Sequence, residues 1–219
     1  MPDAPTADET STAGLRELLV VVILSITTVL TAWSGFQSSK WGGAMSIAFS
    51  EASSSRIEAA RQDGTANQRT ALQVGLWTQW VNDVAAEDER LATFIEARFP
   101  EPLATAQRDW LATDPVAEDG TVNPDAPASP FDMESYVLPE RVAAQEADAR
   151  ADERFADALA NNQRGDNYTL LTVLFAAVLF FTAMSARMDR ARSQWALLSF
   201  AVALGVVGVA FLITFPKLV

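Results

Sequence analysis

Four hydroxyl side chains recur along one side of an apolar stretch near the start of the sequence. Thr27, Thr31, Ser34 and Ser38 follow the spacing that places side chains on one face of a helix. Such a polar stripe can line a water-filled path, and it would suit cations. The same hydroxyls can instead hydrogen-bond to a neighbouring helix or to their own backbone. The absence of ionisable residues from the surrounding stretch favours the helix contact, and the cation pore stays as the alternative.

The composition lacks the residue types that most often bind metals or carry out nucleophilic and acid–base catalysis. The sequence contains no cysteine and no histidine, which removes thiolate nucleophiles, imidazole bases and the usual zinc ligands. Asp83 and the run of residues 87–89 could offer carboxylate oxygens to Ca²⁺, but no glycine turn gathers them. We therefore expect a solvated helix face there, no metal site and no cofactor.

Nucleophilic catalysis would need a serine beside one of two lysines, Lys40 and Lys217. Ser38 or Ser39 would have to pair with Lys40, yet neighbouring residues on a helix point about 100° apart. Lys40 fits better as an anchor at a membrane surface. We expect no enzymatic activity.

Three long stretches of the sequence, one of which carries the hydroxyl stripe, contain no Asp, Glu, Lys or Arg. They cover residues 18–39, 167–186 and 193–216. Each is about as long as the ~20 apolar residues that an α-helix needs to cross a bilayer. We predict transmembrane helices over residues 15–36, 167–186 and 193–216, so the lipid bilayer is the first expected partner.

The net charge of −12 belongs to the segment between the first and second spans. Residues 37–166 carry 23 acidic and 11 basic side chains. An acidic surface repels nucleic acid, so nucleic-acid binding is not expected. The segment shows no alternating strand pattern, which predicts an acidic domain built only from helices.

The orientation follows from arginines in the predicted turn over residues 187–192. Arg187, Arg190 and Arg192 lie in this short turn, and short loops rich in Lys and Arg stay on the cytoplasmic side. We therefore predict a multi-pass protein of the bacterial plasma membrane with a cytoplasmic amino terminus. The acidic domain and the tail at residues 217–219 would lie outside, and residues 1–14 would form a disordered cytoplasmic tail.

Aromatic residues near the end of the first span predict contact with lipid headgroups. Trp33, Phe36 and Trp41, together with Lys40, form the expected set of interfacial anchors. Beyond them the first span is predicted to continue as a helix, with Gly42 and Gly43 as a candidate break, and to end at Asp63 and Gly64.

Further helices are predicted from residue 65 to residue 99, around residues 103–111, and from Pro139 to a break at Gly165 and Asp166. Residues 114–130 read as a loop. The expected fold is an all-α integral membrane protein with three transmembrane helices and an extracytoplasmic helical bundle. The first and last helices of that bundle would run into the membrane.

Small residues recur along the third span. Ala201, Gly205 and Gly208 fall at or near the four-residue spacing that lets helix backbones approach closely. Two interpretations remain open. The small residues either form an oligomer interface or pack against the second span of the same chain.

Several short segments carry a resemblance to a known group of proteins. These are residues 31–41 (TAWSGFQSSKW), 98–101 (RFPE), 129–131 (SPF) and 167–170 (NYTL). Together they resemble a family of uncharacterised bacterial membrane proteins with one transmembrane helix, a helical outer region and a carboxy-terminal pair of transmembrane helices. The resemblance implies this architecture and no reaction, ligand or catalytic residue.

Three functions are compatible with these patterns. The first is a structural or accessory membrane subunit, a homo-oligomer or part of a larger membrane complex, that assembles through its helices. The second is a small homo-oligomeric cation channel lined by the polar face of the first span. The third is an extracytoplasmic module that senses a ligand, although the predicted cytoplasmic parts are very short.

Overall fold

Helices form the whole framework of the chain. The computed structural model describes residues 7–117 and 120–218. They form α1 (Ala7–Ala85), α2 (Glu89–Glu96), α3 (Leu103–Leu111), a 3₁₀ turn (Pro130–Asp132), α4 (Pro139–Ala186) and α5 (Ala191–Thr214). Within those two ranges there is no β-strand, only an isolated bridge between Val116 and Val122. The all-helical prediction is confirmed.

Three of these helices, α1, α4 and α5, are long and apolar enough to cross a membrane. Their apolar segments coincide with the charge-free stretches of the sequence. In a bilayer, a helix satisfies its own backbone hydrogen bonds, which is why uncharged runs of this length fold as helices there.

The first helix is longer than the sequence suggests. It passes Gly42, Gly43 and Gly64 without a break, so the predicted end at Asp63 is wrong. The Thr65 hydroxyl donates to the Arg61 carbonyl one turn earlier, a bond that threonine makes inside a helix. A glycine in a helix costs only about 1 kcal/mol relative to alanine, which tertiary contacts can offset.

The start and end of α1 also differ from the prediction. The helix begins at Ala7, so residues 7–14 are helical, whereas residues 1–6 of the predicted disordered tail lie outside the described residues. It ends at Ala85 because Glu87 adopts a left-handed backbone conformation, with φ at 58°. Asp88 then caps α2 by accepting a hydrogen bond from the Leu91 amide. The predicted single helix to residue 99 is therefore two helices.

Helix α4 likewise runs through the predicted break at Gly165 and Asp166. Gly165 lies at the contact between α4 and α1: a Cβ atom placed there would lie 3.5 Å from the Ser38 carbonyl oxygen, an ordinary van der Waals distance. A glycine at a helix contact and a glycine at a helix end look alike in sequence.

The chain divides into two compact units, each with its own core. The three-span unit comprises Met1–Ser50 and Arg154–Val219, and the insert unit comprises Glu51–Glu153. The core of the three-span unit contains Trp41, Tyr168, Leu171, Phe175 and Leu212. That of the insert unit contains Trp80, Ala92, Phe99, Leu103 and Trp110.

In the insert unit, α1 and α4 run antiparallel with alanines along their contact. Arg56 pairs with Asp148 and Asp152, while Arg69, further along α1, pairs with Glu140. Buried alanines recur every seven residues on each helix, at positions 52, 59 and 66 of α1 and 144 and 151 of α4. A seven-residue repeat of buried positions is typical of coiled-coil packing, and small side chains bring the helices close together.

Small residues of α5 face α4 within the three-span unit. Ala201 is fully buried. A Cβ atom at Gly208 would lie 2.7 Å from Cε1 of Phe175, and one at Gly205 would lie 3.8 Å from Cγ1 of Val178. Of the two interpretations left open by the sequence, these contacts favour packing against the second span of the same chain.

We expect Gly208→Ala to destabilise the protein by about 1–3 kcal/mol, the usual cost of overfilling a packed core. The better helix propensity of alanine offsets at most about 1 kcal/mol of this, because the Phe175 ring is buried and has little room to move. Thermal or denaturant unfolding in detergent measures the change.

The matched control is Gly205→Ala, where the new methyl group makes only ordinary contacts. The helix propensity of alanine should leave the stability of this variant unchanged or raise it by up to about 1 kcal/mol. Equal losses of stability in Gly208→Ala and Gly205→Ala would contradict the close contact between Gly208 and Phe175.

Candidate functional site

The hydroxyl stripe of the first span faces other parts of the same chain. Thr27 and Ser34 are buried inside the three-span unit. Thr31 donates its hydroxyl to the Thr27 carbonyl at 2.8 Å, and the Ser38 and Thr169 hydroxyls share a hydrogen bond of 2.9 Å. The buried Ser34 hydroxyl finds no partner among the described residues. A stripe that is buried at Thr27 and Ser34 and hydrogen-bonded at Thr31 and Ser38 suits helix packing better than a pore lining.

Gln37, which the sequence analysis did not single out as a site residue, makes the most specific contact of this region. Its side chain is fully buried. The amide nitrogen donates to the Leu218 carbonyl oxygen at 3.2 Å, and the amide oxygen accepts from the Leu218 N–H at 3.0 Å. One side chain therefore satisfies both backbone groups of a residue beyond the end of α5.

Tyr168 and Lys217 make further contacts with this tail. The Tyr168 hydroxyl donates to the Pro216 carbonyl at 3.0 Å, and the rings of Tyr168 and Phe215 meet edge to face with centroids 5.7 Å apart. Lys217 donates to the carbonyls of Ile213 and Phe215, which lie at and beyond the end of α5. The segment after α5 is thus held by side chains from α1 and α4.

The hydrogen bonds between Gln37 and Leu218 form one polar tie, a set of side-chain hydrogen bonds that joins α1 to α5 or to its tail. A second polar tie lies at the other end of the three spans. Arg16 donates to the side-chain oxygen of Gln194, and Gln194 donates to the Met188 carbonyl. A helical rise of ~1.5 Å per residue puts Gln37 about 31 Å further along α1 than Arg16, close to the ~30 Å thickness of the hydrocarbon layer. The two ties bracket a segment of membrane length.

The predicted interfacial anchors divide into two groups. Trp33, Phe36 and Lys40 are exposed, with the two rings 5.8 Å apart. Trp41 is only 6% exposed and belongs to the core, where the Arg164 guanidinium lies 4.7 Å from its ring centroid. Trp41 is therefore a packing residue and not an anchor, because the helix turns its side chain towards α4.

Charged residues of the insert unit are arranged in pairs between α1 and α4. Arg141 pairs with Asp63, and Arg69 pairs with Glu140 at 2.6 Å. A hydrogen bond from its own backbone and one from Arg69 lower the pKa of the Glu140 carboxyl. Hydrogen bonding to Asp148 raises the pKa of the Arg56 guanidinium. These groups are held in their charged forms, which disfavours them as proton-transfer groups near neutral pH.

A groove of about 470 Å³ lies between these helices. Ala59, Ala60 and Ala144 line it together with Arg56, Asp63, Arg141, Gln145 and Asp148. The two arginines and two aspartates in its wall already pair with one another. A ligand would have to compete with those pairs, so the groove is a weak candidate for a sensor site.

Two buried glutamines organise the aromatic core of the insert unit. Trp77 donates to the Gln107 side-chain oxygen at 2.9 Å, and Tyr136 donates to the Gln73 side-chain oxygen at 2.7 Å. The sequence analysis missed both glutamines. Gln73 follows the buried alanines of α1 by a further seven residues, and this spacing is the signal that could have found it.

The carboxylates considered for calcium serve the local structure. Asp83 is buried and accepts a hydrogen bond from Gln79 at 2.9 Å, and Asp88 caps α2. Among residues 7–117 and 120–218 no group of three or more acidic side chains could hold a metal ion. Ser38, one half of the serine–lysine pair, is bonded to Thr169.

No protein-family model, curated protein or solved structure matches this chain. Its class is defined by its helices: an all-helical protein with three helices long and apolar enough to cross a membrane. Within that class, its distinguishing features are the polar ties at Gln37 and Gln194 and the ion-paired contact between α1 and α4.

We expect Gln37→Leu to destabilise the protein, because it leaves the Leu218 N–H and carbonyl without their partner. A buried polar group that loses its hydrogen bond costs about 1–3 kcal/mol. The unfolding midpoint should fall, and hydrogen exchange at the Leu218 amide should accelerate.

Thr31→Val is the matched control. It removes a hydroxyl bonded only to its own helix backbone, so the exchange rate of Leu218 should not change. A wild-type exchange rate in the Gln37 variant would contradict the proposed role of the tie.

Proposed function

We propose that this chain is a non-enzymatic membrane protein, a structural or accessory subunit that assembles through its helices. The observation that supports this most is the exposure of large apolar side chains on the helices of the insert unit. Leu72 is 73% exposed and Phe94 is 54% exposed, and Val84 and Leu91 are also exposed. Apolar patches left open to water are typical of protein–protein interaction surfaces.

The same unit carries most of the acidic side chains, which keeps it soluble and favours partners with basic surfaces. The partner is either a second copy of this chain or another component of a membrane complex. Nucleic acid is disfavoured by charge.

A cation channel is the weaker proposal. The side chains that would line its path, Thr27 and Ser34, are buried within one copy of the chain. Exposing them to a pore would require α1 to turn away from α4 and break the Ser38–Thr169 and Gln37–Leu218 hydrogen bonds.

We further propose that the insert unit lies on the extracytoplasmic side of a bacterial plasma membrane. Arg187 and Arg190 lie in the short connection between α4 and α5, and Arg192 lies in the first turn of α5, so the connection is shorter than the predicted turn over residues 187–192. Arginines in and beside a short connection are expected at a cytoplasmic turn. With three spans, the amino terminus would share the cytoplasmic side with this turn.

Single-cysteine variants test this orientation cleanly, because the natural sequence contains no cysteine. In intact cells, a membrane-impermeant maleimide should label Val122→Cys, in the loop of the insert unit, and should spare Asp189→Cys. Both positions are exposed, so both variants should react after permeabilisation. The reverse pattern in intact cells would show the opposite orientation.

Assembly is tested by the mass of the protein extracted into nanodiscs. We expect the mass of the wild-type assembly to exceed the 23.7 kDa of one chain. The mass of the Leu72→Glu variant should shift towards that of a single copy. A charge in an apolar contact should cost about 2 kcal/mol or more, a roughly thirtyfold weaker association.

Val122→Glu is the control, since Val122 is 74% exposed but lies in the loop before the 3₁₀ turn, outside these helices. A wild-type protein that remains a single copy without any co-purifying chain would refute the subunit proposal.

A further inference from the structure

A groove in the insert unit carries acidic side chains around an apolar base. It has a volume of about 530 Å³ and lies where α1 ends and α2 begins. Trp80 and Ala92 form the base and are buried. The other lining residues are exposed to solvent, and they are Val84, Glu87, Glu89, Thr93 and Glu96. We call these seven residues the acidic groove.

The carboxylates of the acidic groove lack basic partners, unlike those between α1 and α4. Along that helix contact, carboxylates such as Asp63 and Glu140 each pair with an arginine. Glu87, Glu89 and Glu96 form no ion pair within residues 7–117 and 120–218. Unpaired charges of one sign around an exposed apolar side chain favour a partner surface of the opposite sign.

Another side of α2 is both basic and apolar. Arg90, Leu91 and Phe94 line a depression there, and the two apolar side chains are 47% and 54% exposed. The Arg98 guanidinium lies 3.5 Å from the Phe94 ring centroid. Asp88 also lines this depression, but its carboxylate caps α2 through the Leu91 amide. We call Arg90, Leu91, Phe94 and Arg98 the basic patch.

The acidic groove and the basic patch lie on nearly opposite sides of α2. With 3.6 residues per turn, Leu91 and Phe94 lie about 140–160° around the helix from Glu89. In the described part of the chain, Arg90 and Arg98 form no ion pair either. One short helix therefore presents two exposed surfaces of opposite charge, and each surface includes apolar side chains.

We propose that the basic patch of one copy of the chain binds in the acidic groove of the next copy. This inference rests on the proposed function, because it names the two surfaces through which the helices assemble. Leu91 and Phe94 of one copy pack over Val84 of its neighbour. The two arginines of the patch then face the glutamates of the groove, so the charges are complementary across the contact.

Charge also distinguishes this pairing from its alternatives. A twofold contact between two acidic grooves, or between two basic patches, brings like charges together. Exposed charges on both surfaces disfavour hydrocarbon as the occupant. A contact between two different surfaces gives each copy a neighbour on two sides, and such head-to-tail contacts build a ring where they close.

Disulfide trapping in nanodiscs tests the pairing, because the natural chain contains no cysteine. A Val84→Cys variant is co-expressed with Leu91→Cys or Phe94→Cys, which carries a tag of different mass, and copper phenanthroline supplies the oxidant. We expect a disulfide between the two variants and none between two copies of the same variant. Val122→Cys, at an exposed loop position outside both surfaces, replaces Val84→Cys as the control and should form no disulfide with either partner.

Charge reversal provides a second test, read from the mass of the assembly at a series of concentrations. Arg90→Glu places an acid in the first turn of α2 and Glu96→Arg places a base in its last turn, so neither change opposes the helix dipole. Each should weaken the association about tenfold, equivalent to ~1.4 kcal/mol. Arg150→Glu makes the same exchange at an exposed position of α4 and should leave the association unchanged.

The outcomes separate this inference from the subunit proposal. An assembled wild type in which Val84→Cys joins neither patch variant would overturn the inference alone. Disulfides between two copies of Val84→Cys would also overturn it, because they place two grooves together. So would wild-type association in both charge-reversal variants. A wild type that stays a single copy without any co-purifying chain would overturn both proposals.

Discussion

The inability of a bilayer to hydrate polar groups is the constraint on which this structure depends. A large polar side chain such as that of glutamine, when it lies in a span, needs a hydrogen-bond partner within the protein. Gln37 meets this requirement through both backbone groups of Leu218, and Gln194 does so through Arg16 and Met188. These contacts fix α1 against α5 at both ends of a segment of about membrane length. The polar residues of the spans therefore set the register in which the apolar residues pack.

The insert unit, which carries most of the acidic side chains, is stabilised by different contributions. Its ion pairs are largely exposed, and pairs of this kind contribute only about 0–1 kcal/mol each. Burial of alanines along α1 and α4 and of the ring cluster around Trp77 and Trp110 contributes more. The salt bridges select the antiparallel register, and apolar burial supplies most of the stability.

Much of the fold is visible in the sequence, since charge-free stretches and helical periodicity depend on composition over many residues. The boundaries that failed involve single residues with two possible roles. Gly64 and Gly165 resemble helix ends, but α1 and α4 continue through both. At the observed end of α1, the left-handed backbone conformation is adopted by Glu87, a residue that lacks the backbone freedom of glycine. Whether such a residue ends a helix or lies inside one depends on contacts with neighbouring helices. Those contacts cannot be read from the sequence.

The candidate site was predictable to a smaller extent. The period of the hydroxyl stripe locates Thr27 and Ser34 on one face, yet it does not say whether that face meets lipid, water or protein. Trp41 resembles an anchor by type and position, but its burial depends on Arg164 and Tyr168, which are distant in the sequence. Gln37 and Leu218 are 181 residues apart, and no local pattern links them.

This separation also governs the order in which the protein can mature. The ribosome makes Gln37 early and Leu218 among the last residues of this sequence. During synthesis, the first span must therefore enter the membrane with its amide unpaired, and it stays so until α5 has been inserted. Before α5 is inserted, the nascent chain carries an unsatisfied polar group in its first span. The residues that follow α5 thus complete the polar contacts of the bundle.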